Sequence, residues 1–368
     1  MDAYDLLARL VRSSLEFDKK SVEATALMIA KKIKKDRPDA AAEITKALSY
    51  SGYDSSTARS LDMSPLPVDR ETRYSLVKLV EPIEMLDPIL DEYVRKQLDD
   101  FIKERELITK FLDEDIVPPN SILLSGAPGV GKTYIAQWIS YKLNLPLVTL
   151  DLASSISSFL GRSGQNIRSI FEYAINQNAV LFLDELDSIA KRRDDASDLG
   201  ELKRLVNVLL KELESCPSTC VVMGATNHPE LLDKAIWRRF DRCLTIPMPE
   251  ENQRGLLLQR HLGKLNQIIK RNTIEYLSYN TKNINAADIC KMCEHIKRQS
   301  LINPDVDINL LALVELFKIC QLETREEKIM ICQQLKIEFA NLSQREISQI
   351  TQIPLTSVSR YLAKRKEE

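Results

Sequence analysis

From about residue 75 the chain alternates short apolar runs with longer amphipathic stretches. The runs at 77–80, 122–125, 147–151, 179–183, 220–224 and 243–246 have the length of strands, and most are separated by stretches of helical apolar spacing. The longest of those stretches, Leu90 to Phe111, predicts a single helix. Strands alternating with helices argue for a parallel sheet covered by helices. Beyond Pro247 and Pro249 the remainder reads as all helical. There is no internal repeat and no low-complexity tract.

Ahead of this region lie three helix-like stretches, Tyr4 to Glu16, Ser21 to Lys35 and Asp39 to Tyr50, the second with Ser21 as N-cap and Glu23 close behind. Residues 51–70 are Ser-rich, broken by Pro65 and Pro67 and without periodicity, which predicts a linker. At 368 residues, 44% hydrophobic and 28% charged, the composition is that of a soluble protein of two or three domains. The net charge of -2 excludes a globally basic nucleic-acid coat. No run of 18 apolar residues and no signal peptide are found, so the expectation is a cytoplasmic protein without a membrane partner. Seven scattered cysteines suit free thiols in a reducing compartment. Cys290, Cys293 and His295 form C-x-x-C-x-H, a spacing open to zinc, but without a second ligand pair and on helical apolar spacing that favours core packing.

The chemistry concentrates at the ends of the apolar runs. Gly126-Ala127-Pro128-Gly129-Val130-Gly131-Lys132-Thr133 is a full match to G-x-x-x-x-G-K-[ST] and follows the apolar Ile122-Leu123-Leu124. The glycines free the backbone to turn its N–H groups toward phosphates, the following helix adds its positive end, Lys132 reaches the β- and γ-phosphates, and Thr133 ligates Mg²⁺. The run at 179–183 ends in Asp184-Glu185, suited to holding Mg²⁺ through its water shell and to orienting an attacking water. A third run ends in Thr226-Asn227, whose amide can bond both that water and the γ-phosphate. Arg238 and Arg239 adjoin, with Arg242 nearby: either a solvated face or a stabiliser of developing γ-phosphate charge.

In this order the motifs resemble an AAA+ ATPase module of the AAA branch, the group containing katanin, spastin and the FtsH proteases, over roughly residues 75–305. The resemblance implies Walker A at Gly126 to Thr133 with Tyr134 continuing the nucleotide contacts, Walker B at Asp184 and Glu185, sensor 1 at Asn227, and an arginine-finger pair at Arg238 and Arg239. Ile246-Pro247-Met248-Pro249 is similar to the family's I-P-x-P exit, and 284–301 resembles the lid helix that begins G-A-D-I, here Ala286-Ala287-Asp288-Ile289. Phe159, Leu160 and Gly161 fall on the family's pore loop, where a ring would grip an extended substrate chain; the alternative is that Phe159 packs in a core. The family's Glu after that Gly is Arg162 here and its downstream Glu is Gln165, so the usual acidic pairing between loops is missing. Residues 191–201 would form the second pore-facing loop or a solvated connection.

Past the lid, Ser343 and Glu346 form a capping box, and Ile347, Ile350, Ile353, Val358 and Tyr361 have the spacing of two short helices across a tight turn. This resembles a DNA-reading helix-turn-helix with Leu355 to Leu362 as recognition helix, Thr356, Ser357, Ser359 and Arg360 facing bases or phosphates, and Lys364, Arg365 and Lys366 adding backbone contacts. Gln352 stands where the turn usually has Gly, and the alternative is a small helical bundle used for packing or ring assembly.

The expectation is therefore an α/β P-loop NTPase with a three-layer αβα core and a small helical lid, flanked by all-α N- and C-terminal domains. Its divisions are 1–50 helical, 51–74 linker, 75–248 nucleotide-binding, 249–305 lid, and 306–368 helical with the helix-turn-helix at 342–364. It implies ATP and Mg²⁺, a homo-hexamer, and a protein substrate, protease or adaptor recruited by the N-terminal helices. The alternative is an ATP-controlled assembly switch on DNA, bound through 342–366.

Overall fold

The computed structural model describes residues 25, 28, 29, 32, 66–67, 75–152, 163–188, 199–319 and 324–363. The expectations for Phe159 to Gly161, for residues 191–198 of the expected second loop at 191–201, for Lys364 to Lys366 and for most of the N-terminal helices and linker lie outside them, while residues 199–201 of that loop are helical. The chain divides into two compact units, Met1–Val68 and Asp69–Glu368. In the first, Thr25, Met28, Ile29 and Lys32 are helical, with Thr25 and Ile29 buried one turn apart and Met28 and Lys32 exposed.

The second unit begins with a six-stranded sheet: β1 (Lys78–Val80), β2 (Ser121–Ser125), β3 (Leu147–Asp151), β4 (Val180–Asp184), β5 (Val221–Thr226) and β6 (Arg242–Thr245). The spatial order is β1-β3-β4-β5-β2-β6, with β1 antiparallel to β3 and every other pairing parallel. β2 and β5 are buried along their whole length, as strands covered on both faces must be. The chain leaves β2 toward β3 on one side and reaches β6 on the other, so the C-terminal end of β2 is a topological switch point, where open α/β sheets bind ligands. Register brings Ser125 level with both Thr226 and Thr245 at that edge.

One face of the sheet is covered by α1 (Glu92–Glu106) and α3 (Lys132–Leu143). Val94, Leu98, Phe101, Trp138 and Ile139 pack there against Ile122, Leu124, Phe182 and Met223. The third layer is α4 (Ser163–Asn176) and α5 (Leu199–Ser215), which pack on one another, with Ile167, Ile170, Phe171, Leu205 and Leu209 buried. The single helix expected over Leu90 to Phe111 is in fact two, α1 and α2 (Ile108–Asp113), parted at Leu107. The reason is burial: α1 buries a face from Val94 to Arg105, and Arg105 is held to the carbonyls of Pro119 and Thr219, whereas α2 buries nothing.

After the short α6 (Lys234–Trp237) and β6, the chain is all helical: α7 (Glu251–Leu262), α8 (Arg271–Asn280), α9 (Ala286–Ile302), α10 (Ile308–Ile319), α11 (Arg325–Glu338), α12 (Gln344–Thr351) and α13 (Leu355–Ala363). They share one apolar core, in which Leu258, Ile289 and Leu316 belong to the same cluster as Ile347, Ile350, Val358 and Tyr361. α12 has its capping box at Ser343 and Glu346 and ends at Gln352, whose φ of 58° is left-handed. Thr356, Ser359 and Arg360 lie exposed on α13 and Ser357 is half-buried. No helix among the described residues is long and apolar enough to cross a membrane.

Because a side chain in the left-handed region costs about 1 kcal/mol and Gln352 is exposed, Gln352→Gly should raise stability by that order. Urea melts followed by circular dichroism check this; a lowered midpoint would contradict the backbone reading.

Candidate nucleotide site

The loop between β2 and α3 is shaped by its glycines. Gly126 has φ 149°, and a Cβ there would lie 2.4 Å from the Ile246 carbonyl oxygen. Gly129 has φ 79°, and its Cβ would lie 2.6 Å from the Asn285 side chain on the lid. Only glycine fits either position. Gly131 then serves as N-cap of α3, so the first N–H groups of that helix open onto the loop.

Inside the loop the Lys132 ammonium is buried and donates to Gly126 O at 2.7 Å, Ala127 O at 3.0 Å and Asn227 Oδ1 at 2.7 Å. Burial pushes its pKa down, while Asp184 and Asp187 act to hold its charge. Thr133 Oγ1 donates to Asp184 Oδ2 at 3.3 Å. Burial raises the Asp184 pKa, and the Glu185 N–H and the Thr133 hydroxyl counter it. Lys132, Thr133, Asp184, Glu185 and Asn227 thus line a single cleft of about 640 Å³, within the usual size of a small-molecule site.

β4 ends in an abrupt turn. Glu185 is exposed with φ 55°, and the next residue, Leu186, donates its N–H to Ala225 O at 2.9 Å. That turn drives Asp187 inward to 2% exposure, where Oδ1 accepts from Thr226 Oγ1 at 3.0 Å and from the Asn227 N–H at 3.1 Å. Asp187 therefore fixes the tip that carries Asn227. Sequence reading passed over it, although a fourth-position acid after a buried strand was a signal.

The other end of the cleft is apolar, with Pro88, Ile89, Leu90 and Leu257 among its walls, and Arg260, His261, Cys290 and Lys297 at its margin. Burial, together with Arg260 and Lys297, lowers the His261 pKa. Tyr134 lines the cleft and donates its hydroxyl to Leu86 O at 2.7 Å. The lid closes on the loop directly: Ala287 N–H donates to Gly129 O at 2.9 Å, and Asn285 caps α9 by accepting from Asp288 N.

Arg238 and Arg239 are exposed, and neither lines the cleft; Arg239 pairs with Glu214 at 3.2 Å. Arg242 is structural, bonded to Gln97 O and Glu104 Oε2, each at 2.6 Å. In the C-x-x-C-x-H stretch Cys293 lies in the lid core, Cys290 borders the cleft, and His295 pairs with Glu315 at 2.6 Å.

Residues 122–248 match the model of the ATPase family associated with various cellular activities, AAA. They are an AAA ATPase domain. Two curated relatives of this chain are the AAA family ATPase y4kL of Sinorhizobium fredii and the proteasome-activating nucleotidase 1 of Haloferax volcanii. The first is 35% identical over 54% of this chain and 60% of its own; the second is 31% identical over 59% and 55%. The chain thus spans little more than half the length of these relatives. The crystal structure of the FIGL-1 AAA domain has the same fold, with a TM-score of 0.53 over 79% of this chain and 92% of that one at 21% identity.

Asp187→Ala should leave the buried Thr226 hydroxyl and the half-buried Asn227 N–H without that acceptor, lowering the AAA domain's stability by about 1–3 kcal/mol. Denaturant melts of variant and parent measure this, and an unchanged midpoint would contradict it.

Proposed function

We propose that the chain is a ring-forming ATPase that hydrolyses ATP at subunit interfaces and remodels a protein by drawing it through a central pore. The observation that carries this reading is the separation of the charged groups. Lys132, Asp184, Glu185 and Asn227 meet in one cleft, while Arg238 and Arg239 stand exposed outside it. Two exposed guanidinium groups that do not line their own cleft suit a neighbour's site better than their own.

The residues fit a nucleoside triphosphate and its metal. Gly126, Ala127, Pro128, Gly129, Val130 and Gly131 offer backbone N–H groups, apart from Pro128, to the phosphates, and Lys132 carries the compensating charge. Mg²⁺, when bound, neutralises phosphate charge and polarises the γ-phosphoryl group, with Thr133 and Asp184 as the residues that would hold it. Glu185 orients the attacking water and accepts its proton as the water oxygen bonds to the γ-phosphorus. The bond from that phosphorus to the β,γ-bridging oxygen breaks, and ADP and inorganic phosphate result. Asn227 aligns the water and the γ-phosphate, and Lys132 follows the charge that develops on the phosphate oxygens. The neighbour's Arg238 and Arg239 add positive charge from the open side, an effect worth roughly 10³ to 10⁵ in rate. Phe159, Leu160 and Gly161 grip the substrate, and residues 1–50 recruit it, or a protease or adaptor, in the cytoplasm. The name of the Haloferax volcanii relative, a proteasome-activating nucleotidase, supports a protein substrate. We assign 75–248 to the nucleotide-binding part, 249–305 to the lid and 306–368 to a C-terminal domain.

Glu185→Gln should bind ATP, turn it over about 100-fold more slowly or less, and acquire the mass of six copies when ATP is added. A monomer with ATP bound would refute the interface. Arg239→Ala and Glu185→Gln should each be inactive alone but regain ATPase when mixed, because one supplies the intact cleft and the other the intact arginine. Failure to recover would refute action across subunits.

A second reading rests on α13, whose exposed Thr356, Ser359 and Arg360 lie opposite the buried Val358 and Tyr361. In that reading the helix enters a DNA groove and ATP controls assembly there. Duplex DNA should then stimulate the ATPase, and Arg360→Ala should abolish the stimulation; an ATPase indifferent to DNA removes this reading.

A further inference from the structure

The wall at the apolar end of the cleft is built from residues without regular structure. Between β1 and α1, residues 81–91 form neither helix nor strand, and Pro82 and Pro88 lack an N–H to bond with. A segment of this kind takes its position from side-chain tethers rather than from a backbone ladder. Here the tethers converge on two consecutive residues. The Asp87 carboxylate accepts from Arg95 at 2.9 Å, from the Trp138 indole at 3.0 Å and from Lys142 at 3.2 Å. The main chain adds two more: Leu86 O accepts from Tyr134, and Asp87 O accepts from Arg260, both at 2.7 Å.

The origin of the donors matters. Tyr134, Trp138 and Lys142 lie on α3, the helix that begins in the phosphate loop, Arg95 is on α1, and Arg260 is on α7 of the lid. Arg95 is itself held by Asp99 at 2.9 Å and lies 4.8 Å over the Trp138 ring, so the carboxylate meets a preset pair of donors. The arginine bond keeps Asp87 strongly acidic, with a pKa of about 2. The wall is thereby indexed to the phosphate loop by its side chain and to the lid by its carbonyl.

We propose that Asp87 is the positioning residue for the nucleoside base: it sets the distance between the apolar wall at Pro88 to Leu90 and the phosphate loop, so that base and phosphates bind together. This rests on the cleft being the nucleotide site. Asp87 does not itself line the cleft, and the role predicts a loss confined to ligands that carry a base.

Titration calorimetry with ATP and with inorganic triphosphate tests it on the full chain. Asp87→Asn should weaken ATP about tenfold and leave inorganic triphosphate unchanged, as expected when charge-assisted hydrogen bonds to the wall are lost. Lys142→Met, which removes one donor from a half-exposed position, should show the same selectivity with a smaller loss, and serves if Asp87→Asn fails to fold. Unchanged ATP affinity in the variants, or an equal loss for both ligands, overturns the proposal while leaving the nucleotide site intact. If the parent binds neither ligand, the nucleotide reading falls and this one falls with it.

Discussion

A lysine only 7% exposed needs oxygens around its ammonium, and those around Lys132 come from separate parts of the chain. Gly126 and Ala127 give carbonyls that only a loop with left-handed glycines can turn inward, and Asn227 gives its amide oxygen from the end of β5. Asn227 stays in place because Asp187, brought inward by the turn after β4, holds its backbone. The strand order makes this possible, since β5 lies between β2 and β4 and all three end at one edge. Satisfying one buried charge thus ties three strand ends together, and the cleft is the result.

Much of this was legible because it is local. The glycines at 126, 129 and 131 demand a loop, four apolar residues before Asp184 demand a buried strand, and Ser343 with Glu346 demands a helix start; each signal spans a few residues. Gln352 in place of Gly was legible too, and its φ of 58° has the sign the turn required. The partners from distant segments were not. Nothing near Asp87 in the sequence points to Trp138 or Lys142, and nothing near Asp187 points to Thr226, since these pairs are made by topology. The break at Leu107 was hidden for a related reason: the periodicity continues through it, and only the anchoring of Arg105 to Pro119 and Thr219 marks where burial stops.

The lid meets the glycine loop after β2 through the Ala287 N–H on Gly129 O and through Asn285, close against Gly129. Arg260 adds a contact to the wall at Asp87. Ile89, packed against the lid core, adds an apolar contact from the same wall, so the lid's angle depends on Gly129 and on residues 86–89 together.

The helices from α7 to α13 bury their apolar faces in common, from Leu258 to Tyr361. A close-packed interior of that kind turns as one solid and does not bend between its parts. A tilt of the lid at Gly129 would therefore pass from α9 to α10, which pack on one another, and on to α12 and α13, which follow them in the same chain of helix contacts.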